Sequence, residues 1–124
     1  MKVFCHNFNP TSDSGPNKFT RQLFSNMKNL GVTNVSDQKD CDVEFALIHL
    51  EREKQKPTIL RLDGIYFNSD QNYYQQNLPI QYSYESADHV VFQSEFNKSL
   101  TEAWFGPHKN SSVIHNAPDI DFID

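Results

Sequence analysis

The segment Ser86-Ala87-Asp88-His89-Val90-Val91-Phe92-Gln93-Ser94-Glu95, running on to Leu100, decides the fold together with Ser112-Val113-Ile114-His115-Asn116-Ala117-Pro118-Asp119. Val90, Val91 and Phe92 form an apolar run without polar alternation, the pattern of a parallel strand covered on both faces. Ser94 then stands where a helix cap belongs. Glu95 occupies the first turn, where a negative charge suits the helix dipole. Ser112 to His115 reads as a second buried strand closed by the Asn-Ala-Pro break. In open parallel sheets, ligands lie just beyond the carboxyl ends of the strands. Gln93, Ser94, His115 and Asn116 therefore fall on the expected functional edge.

Outward from this segment, strands and helices alternate. Lys2 to His6 reads as a first strand, and Asn7 to Asn17 as a loop rich in Asn, Pro, Ser and Gly. The spacing predicts a helix from about Lys18 to Leu30, with Phe19, Leu23, Phe24, Met27 and Leu30 on one face. Gly31 closes it as a residue tolerant of positive φ. Strands follow at Val32 to Val35, Val43 to Ile48 and Thr58 to Leu62, the last two joined by the charged segment Glu51 to Lys56. A helical region from about Asp70 to Glu85 should be split at Pro79. After the strand His89 to Phe92 comes a helix from Glu95 to about Phe105, with Phe96, Leu100, Ala103 and Trp104 facing inward. Gly106-Pro107 stops it. This alternation specifies an α/β protein with a three-layer, Rossmann-like open sheet, mostly parallel, with helices on both faces.

Composition narrows the function. A chain of 124 residues makes one domain, and ten Phe, five Tyr and one Trp supply its core. The formal charge of −5 argues against a nucleic-acid footprint, which needs a clustered basic face. Arg52, Lys54 and Lys56 cluster, but Glu51 and Glu53 interrupt them, and they read as solvated. No apolar run approaches the roughly 20 residues that span a bilayer, so no transmembrane segment is expected. Met1-Lys2-Val3-Phe4-Cys5-His6 turns polar too soon for a secretory signal, and a cytoplasmic location is the expectation. Cys5 and Cys41 form no Cys-x-x-Cys pair, and Cys5 reads as a small buried side chain in a strand.

Several groups could carry chemistry. The loop Asn9-Pro10-Thr11-Ser12-Asp13-Ser14-Gly15-Pro16-Asn17 leads into a helix and either offers backbone amides to an anion or is an ordinary polar connection. It is neither Gly-x-Gly-x-x-Gly nor a P-loop. Arg61 and Asp63 share parity at the carboxyl end of an otherwise apolar strand, as an internal ion pair or as ligand contacts, and Asp63 could instead cap the turn at Gly64. Tyr66 and Phe67 are packing residues or a sugar-stacking surface. His6, His49 and His115 end strands and serve either as hydrogen-bonded structural groups or in the cleft. None is spaced as His-x-x-x-His, so no zinc site is expected, and Asp119-Ile120-Asp121 is a weak match to a cation-binding pair. No Ser-His-Asp or Cys-His arrangement is legible.

The segments Ala87-Asp88-His89-Val90-Val91-Phe92-Gln93-Ser94-Glu95-Phe96 and Val113-Ile114-His115-Asn116-Ala117-Pro118-Asp119-Ile120-Asp121-Phe122 resemble the end of the amino-terminal, acceptor-side domain of a GT-B glycosyltransferase of the group 1 type. Arg61-Leu62-Asp63-Gly64-Ile65-Tyr66-Phe67 resembles a segment of some of these enzymes. Asn17, after Gly15-Pro16, is similar to the family's glycine-containing loop. Ala117-Pro118 stands where the family has Gly-Val. The carboxyl-terminal half, with its basic phosphate-binding residue and Glu-containing motif, is not among these 124 residues. The resemblance makes residues 1–116 the Rossmann-like domain and 117–124 the start of an interdomain linker.

What the resemblance implies is sugar transfer from a nucleotide diphosphate donor to an acceptor hydroxyl, without cofactor or metal, in carbohydrate biosynthesis. The leaving diphosphate is stabilised by prearranged charges and dipoles. It implies catalytic roles for His49 and Asp63, and substrate contacts from Gly15, Pro16, Asn17, Arg61, Tyr66, Ser94, Glu95 and Asn116. The partners implied are a sugar or glycan acceptor and a donor-binding half, supplied by a longer chain or a separate polypeptide. Two alternatives stand beside it. The hydroxyl-rich first loop fits a flavodoxin-like nucleotide- or flavin-binding module. An apolar docking surface would fit a non-catalytic interaction domain that forms a homodimer.

Overall fold

The computed structural model describes residues 1–9, 11–12, 14–62 and 73–114. Six strands form one sheet: β1 (Lys2–Cys5), β2 (Thr33–Val35), β3 (Val43–Leu47), β4 (Thr58–Leu62), β5 (His89–Phe92) and β6 (Ser111–Val113). Their order is β2-β1-β3-β4-β5-β6, and every neighbouring pair is parallel. Three α-helices accompany them: α1 (Gly15–Met27), α2 (Tyr73–Ser86) and α3 (Glu95–Phe105). The α/β, Rossmann-like open sheet expected from the sequence is the architecture observed.

The sheet runs one way across β1 to β2 and the other way from β3 through β6. Right-handed crossovers then place α1 on one face and α2 and α3 on the other. Packing agrees: Arg61 of β4 lies under Phe19 of α1, while its neighbours Leu60 and Leu62 pack with Ile80 and Tyr84 of α2. The core is on the α2/α3 face, where Ala46, Leu60, Leu62, Val90 and Phe92 from the strands meet Ile80, Tyr84 and Ala87, with Leu100 and Phe105 of α3 against them. Each fully buried Leu, Val or Phe there contributes about 1.5–3 kcal/mol.

Local chemistry sets the element ends. Ser94 caps α3 as expected, its hydroxyl accepting the Asn97 N–H at 3.1 Å, with Glu95 in the first turn. Gly31, at φ 80°, closes the short 3-10 turn Lys28–Leu30 that follows α1.

Four expectations need correction. The last strand is Ser111–Val113, a half-buried edge strand with Ile114 exposed beyond it, and not a buried strand. α1 begins at Gly15 rather than Lys18, because a proline in the first turn donates no hydrogen bond that the helix would miss. Pro79 lies inside a continuous α2 and does not split it. Ile80, Ser83, Tyr84 and Ala87 are all buried, and Ser83 Oγ donates to the Pro79 carbonyl at 2.8 Å, so packing holds the helix across the proline. The inward face of α3 is Leu100, Thr101 and Phe105; Phe96 (69 % exposed), Ala103 and Trp104 (44 %) face outward, as does Leu30 after α1. No helix among the described residues is long and apolar enough to cross a membrane.

The connection from β3 to β4, residues 48–57, contains no helix. It folds back over the sheet as an irregular strap. The backbone donors of such a strap need acceptors, and Glu44 of β3, His6 after β1 and Ser83 of α2 supply them.

Candidate functional site at the switch point of the sheet

The strand order reverses between β1 and β3, and in open α/β sheets that reversal opens a crevice at the carboxyl ends of the strands. At that place a small pocket of about 40 Å³ is lined by His6, Asn7, Phe8, Asn17, Thr20 and Leu47. Its volume is close to that of a single water or hydroxyl group.

Two backbone irregularities shape the rim. Asn7, just after β1, has φ 56°, and Ile48, just after β3, has φ 74°. A left-handed Asn is common, but a β-branched residue there is a true outlier. Ile48 is held because its N–H donates to the Arg61 carbonyl at 2.9 Å, while the next N–H, from His49, turns back to the Leu47 carbonyl at 2.8 Å. The result is the strained, positive-φ kind of γ-turn, which swings His49 onto the rim.

Asn7 meets His49 there. Its Nδ2 lies 3.4 Å from both the His49 carbonyl oxygen and His49 Nε2, two long contacts. The amide nitrogen can only donate, so His49 Nε2 faces it with a lone pair.

Beneath the rim lies a buried polar network. Glu44 is fully buried, and its Oε1 accepts from His6 Nε2 at 2.6 Å and Gln38 Nε2 at 2.9 Å. Its Oε2 accepts the strap's Gln55 and Lys56 N–H groups at 2.6 and 2.7 Å. Burial alone pushes the Glu44 carboxyl up, but these donors outweigh it and hold the group below the usual carboxylate range. His6 Nδ1 accepts the Glu51 N–H at 3.1 Å, which fixes the Nε2–H tautomer; the contact with Glu44 is thus a neutral imidazole donating to a carboxylate. Glu51 Oε1 accepts the Asn7 N–H at 2.9 Å, and its Oε2 pairs with Arg52 at 3.2 Å. Burial raises the Glu51 carboxyl, and the Asn7 and Arg52 hydrogen bonds more than reverse that.

The residues singled out in the sequence divide clearly. Asn17 lines the pocket, but its side chain also ties the first loop together: Oδ1 accepts the Asn9 N–H at 2.7 Å and Nδ2 donates to Ser14 Oγ at 2.8 Å. Gly15 and Pro16 form the first turn of α1 beside it. His49 is on the rim. Arg61, two strands from β1 and buried, stacks its guanidinium 4.4 Å from the centre of the Phe19 ring. A desolvated stack of this kind contributes up to about 2 kcal/mol. Ser94 and Glu95 follow β5 on the same edge, three strand spacings from β1, which is about 14 Å. Asp63, Tyr66 and Asn116, with His115, Phe67 and the linker 117–124, lie outside the described residues.

Asn7, Glu44 and Glu51 were missed. The signal for Glu44 was present: it is the one charge in Val43-Glu44-Phe45-Ala46-Leu47-Ile48, on the same strand face as the core residue Ala46. Among the described residues, no group of three or more His, Cys, Asp or Glu side chains is placed to hold a metal ion.

Fold and site define an α/β open-sheet protein with a polar rim at its switch point. No family model, no curated protein and no solved structure matches the chain.

Proposed function

We propose that this chain is the acceptor-side domain of a GT-B glycosyltransferase, completed by a donor-binding half. The observation that carries the reading is the location of Asn17 and His49. Asn17 lines the small pocket, and His49, from a separate segment of sequence, meets another of its lining residues, Asn7, at the rim. The neutral amides of Asn7 and Asn17 suit the hydroxyls of a sugar.

In this reading the acceptor oxygen forms a bond to the anomeric carbon as the bond from that carbon to the nucleoside diphosphate breaks. The hydroxyl proton passes to His49 Nε2, the acceptor hydroxyl displacing the long contact from the Asn7 amide. Arg61 adds positive charge on the side of the leaving diphosphate. Ser94 and Glu95, after β5, extend the contacts along the edge.

The test is an NMR titration of the isotope-labelled chain with simple hexoses, N-acetylhexosamines and their disaccharides. Amide shifts should concentrate at Asn7, Asn17 and His49, and with a donor-binding half supplied, His49→Ala should lower turnover by roughly 10²–10⁴. Sugars that leave all three amides unmoved, with no transfer from any nucleotide sugar, would falsify the reading.

A second reading, a flavodoxin-like nucleotide or flavin module, is favoured by the strand order, since 2-1-3-4-5 is the flavodoxin order. Against it stands Asp13, which puts a negative charge in the loop that would have to wrap a phosphate. Quenching of FMN fluorescence by the chain would support this second reading; an unchanged spectrum would remove it.

A further inference from the structure

Glu51 joins two parts of the molecule that the strand order alone would leave independent. Its N–H donates to His6 Nδ1, and its carboxylate accepts the N–H of Asn7, the left-handed residue that faces His49. His6 in turn is fixed by the fully buried Glu44. Read in order, Glu44, His6, Glu51, Asn7 and His49 form one continuous run of contacts from the core to the pocket rim.

Glu51 does not line the pocket, yet both of its hydrogen-bonding ends are committed to residues that do. A left-handed Asn costs little, but it has neighbouring conformations of similar energy, and a hydrogen bond to its N–H selects one of them. A charged acceptor makes that selection stronger than a neutral one.

We propose that Glu51 is a positioning residue of the acceptor pocket: through the Asn7 N–H it sets the angle at which the Asn7 amide meets His49, and the Glu44–His6 pair anchors Glu51 in turn. The inference rests on the acceptor-pocket reading for its functional meaning, but the geometry it asserts stands by itself.

The test compares wild type, Glu51→Ala and Glu51→Gln, with Glu53→Gln as a control on the exposed part of the strap. Amide hydrogen exchange and imidazole ¹⁵N shifts are the readouts, followed by acceptor titration. In Glu51→Ala the Asn7 amide should exchange roughly tenfold faster, the size expected for one lost hydrogen bond. His49 Nε2 should move, while Glu51→Gln, which keeps an acceptor oxygen, should recover most of both changes. Acceptor binding should weaken in the same order, Ala more than Gln, with Glu53→Gln at wild-type values.

Unchanged exchange at Asn7 in Glu51→Ala overturns the proposal. So does an equal rise across residues 48–57 in both variants, since that describes a loosened strap and not a positioned side chain. If wild type binds no sugar, the acceptor reading fails, and the Asn7 and His49 measurements still decide the positioning claim.

Discussion

Replacing Glu44 by Gln probes the network at its centre. The change is nearly isosteric, so it tests hydrogen bonding without opening a cavity. Oε2 receives two backbone N–H groups that cannot reverse, and Oε1 receives His6 and Gln38. A glutamine has one acceptor oxygen. Whichever way the amide turns, its NH₂ faces two donors. His6 cannot adapt by changing tautomer, because its Nδ1 already accepts from Glu51, and the Gln38 NH₂ is also held by the Glu53 carbonyl at 2.9 Å. Two hydrogen bonds to a charged group, each about 1.5–3 kcal/mol, are lost, and relief from burying the charge returns part of that. The expected net cost is about 2–4 kcal/mol, or close to 10 °C in melting temperature for a chain of this size.

The pH dependence gives a second signature of the same substitution. The folded-state Glu44 carboxyl lies below its ordinary value, so its contribution is complete above the unfolded pKa of about 4.3 and is lost as pH falls through the folded value. Wild type and Glu44→Gln should therefore differ most at neutral pH and converge in acid. Calorimetric melts at pH 7 and along the acid limb measure this. A variant melting within about 2 °C of wild type at pH 7 would show that the four donors do not depend on a carboxylate.

Three further outcomes are expected. Thr101 Oγ1 is buried in α3 and is the one such side-chain atom without a hydrogen-bond partner among the described residues, so Thr101→Val should raise stability by about 1 kcal/mol, read from the urea midpoint at constant m. A lowered midpoint would mean that the hydroxyl has a partner. At Ile48, φ 74° penalises any Cβ, so Ile48→Gly should be more stable than Ile48→Ala by about 1 kcal/mol; the reverse order would remove the strained γ-turn from the account. Burial pushes the Cys5 thiol up to about 12 and also raises Cys41, so neither should react with a disulfide reagent in the native protein at pH 8, and both should after unfolding; a fast native thiol would contradict the packing around them.

The sheet was legible because its signals are local and strong. Val90-Val91-Phe92 and Thr58-Ile59-Leu60-Arg61-Leu62 read as strands, and Ser94 as a cap, for reasons contained within a few residues. The errors arose where tertiary packing overrides local preference. Pro79 should break a helix, but Asn77 before it and Ile80, Ser83 and Tyr84 after it are all buried and keep α2 whole. Phe96 and Trp104 have the spacing of an inward stripe, yet of that stripe only Leu100 reaches the core, beside Thr101 and Phe105, since a helical pattern gives the period and not the phase. At the site, Asn17 and His49 stood out as polar groups at predicted strand and helix ends. Asn7 and Glu51 did not, because their importance lies in one backbone N–H and in contacts 44 residues apart in sequence.

The buried carboxylate and the Glu51 contacts at the rim are consequences of a single feature of the fold. A helix in the β3–β4 crossover would satisfy its own backbone donors and could pack an apolar face on β1 and β3. The strap has no such ladder, so its amides at 55 and 56 must find acceptors inside the protein, and Glu44 supplies two lone-pair directions for them. Once that charge is buried it requires further donors, which explains His6 and Gln38 in a region that would otherwise be apolar. An irregular strap also brings Glu51 within reach of the end of β1. The polar core and the Glu51 contacts at the rim thus have a common cause in the irregular strap.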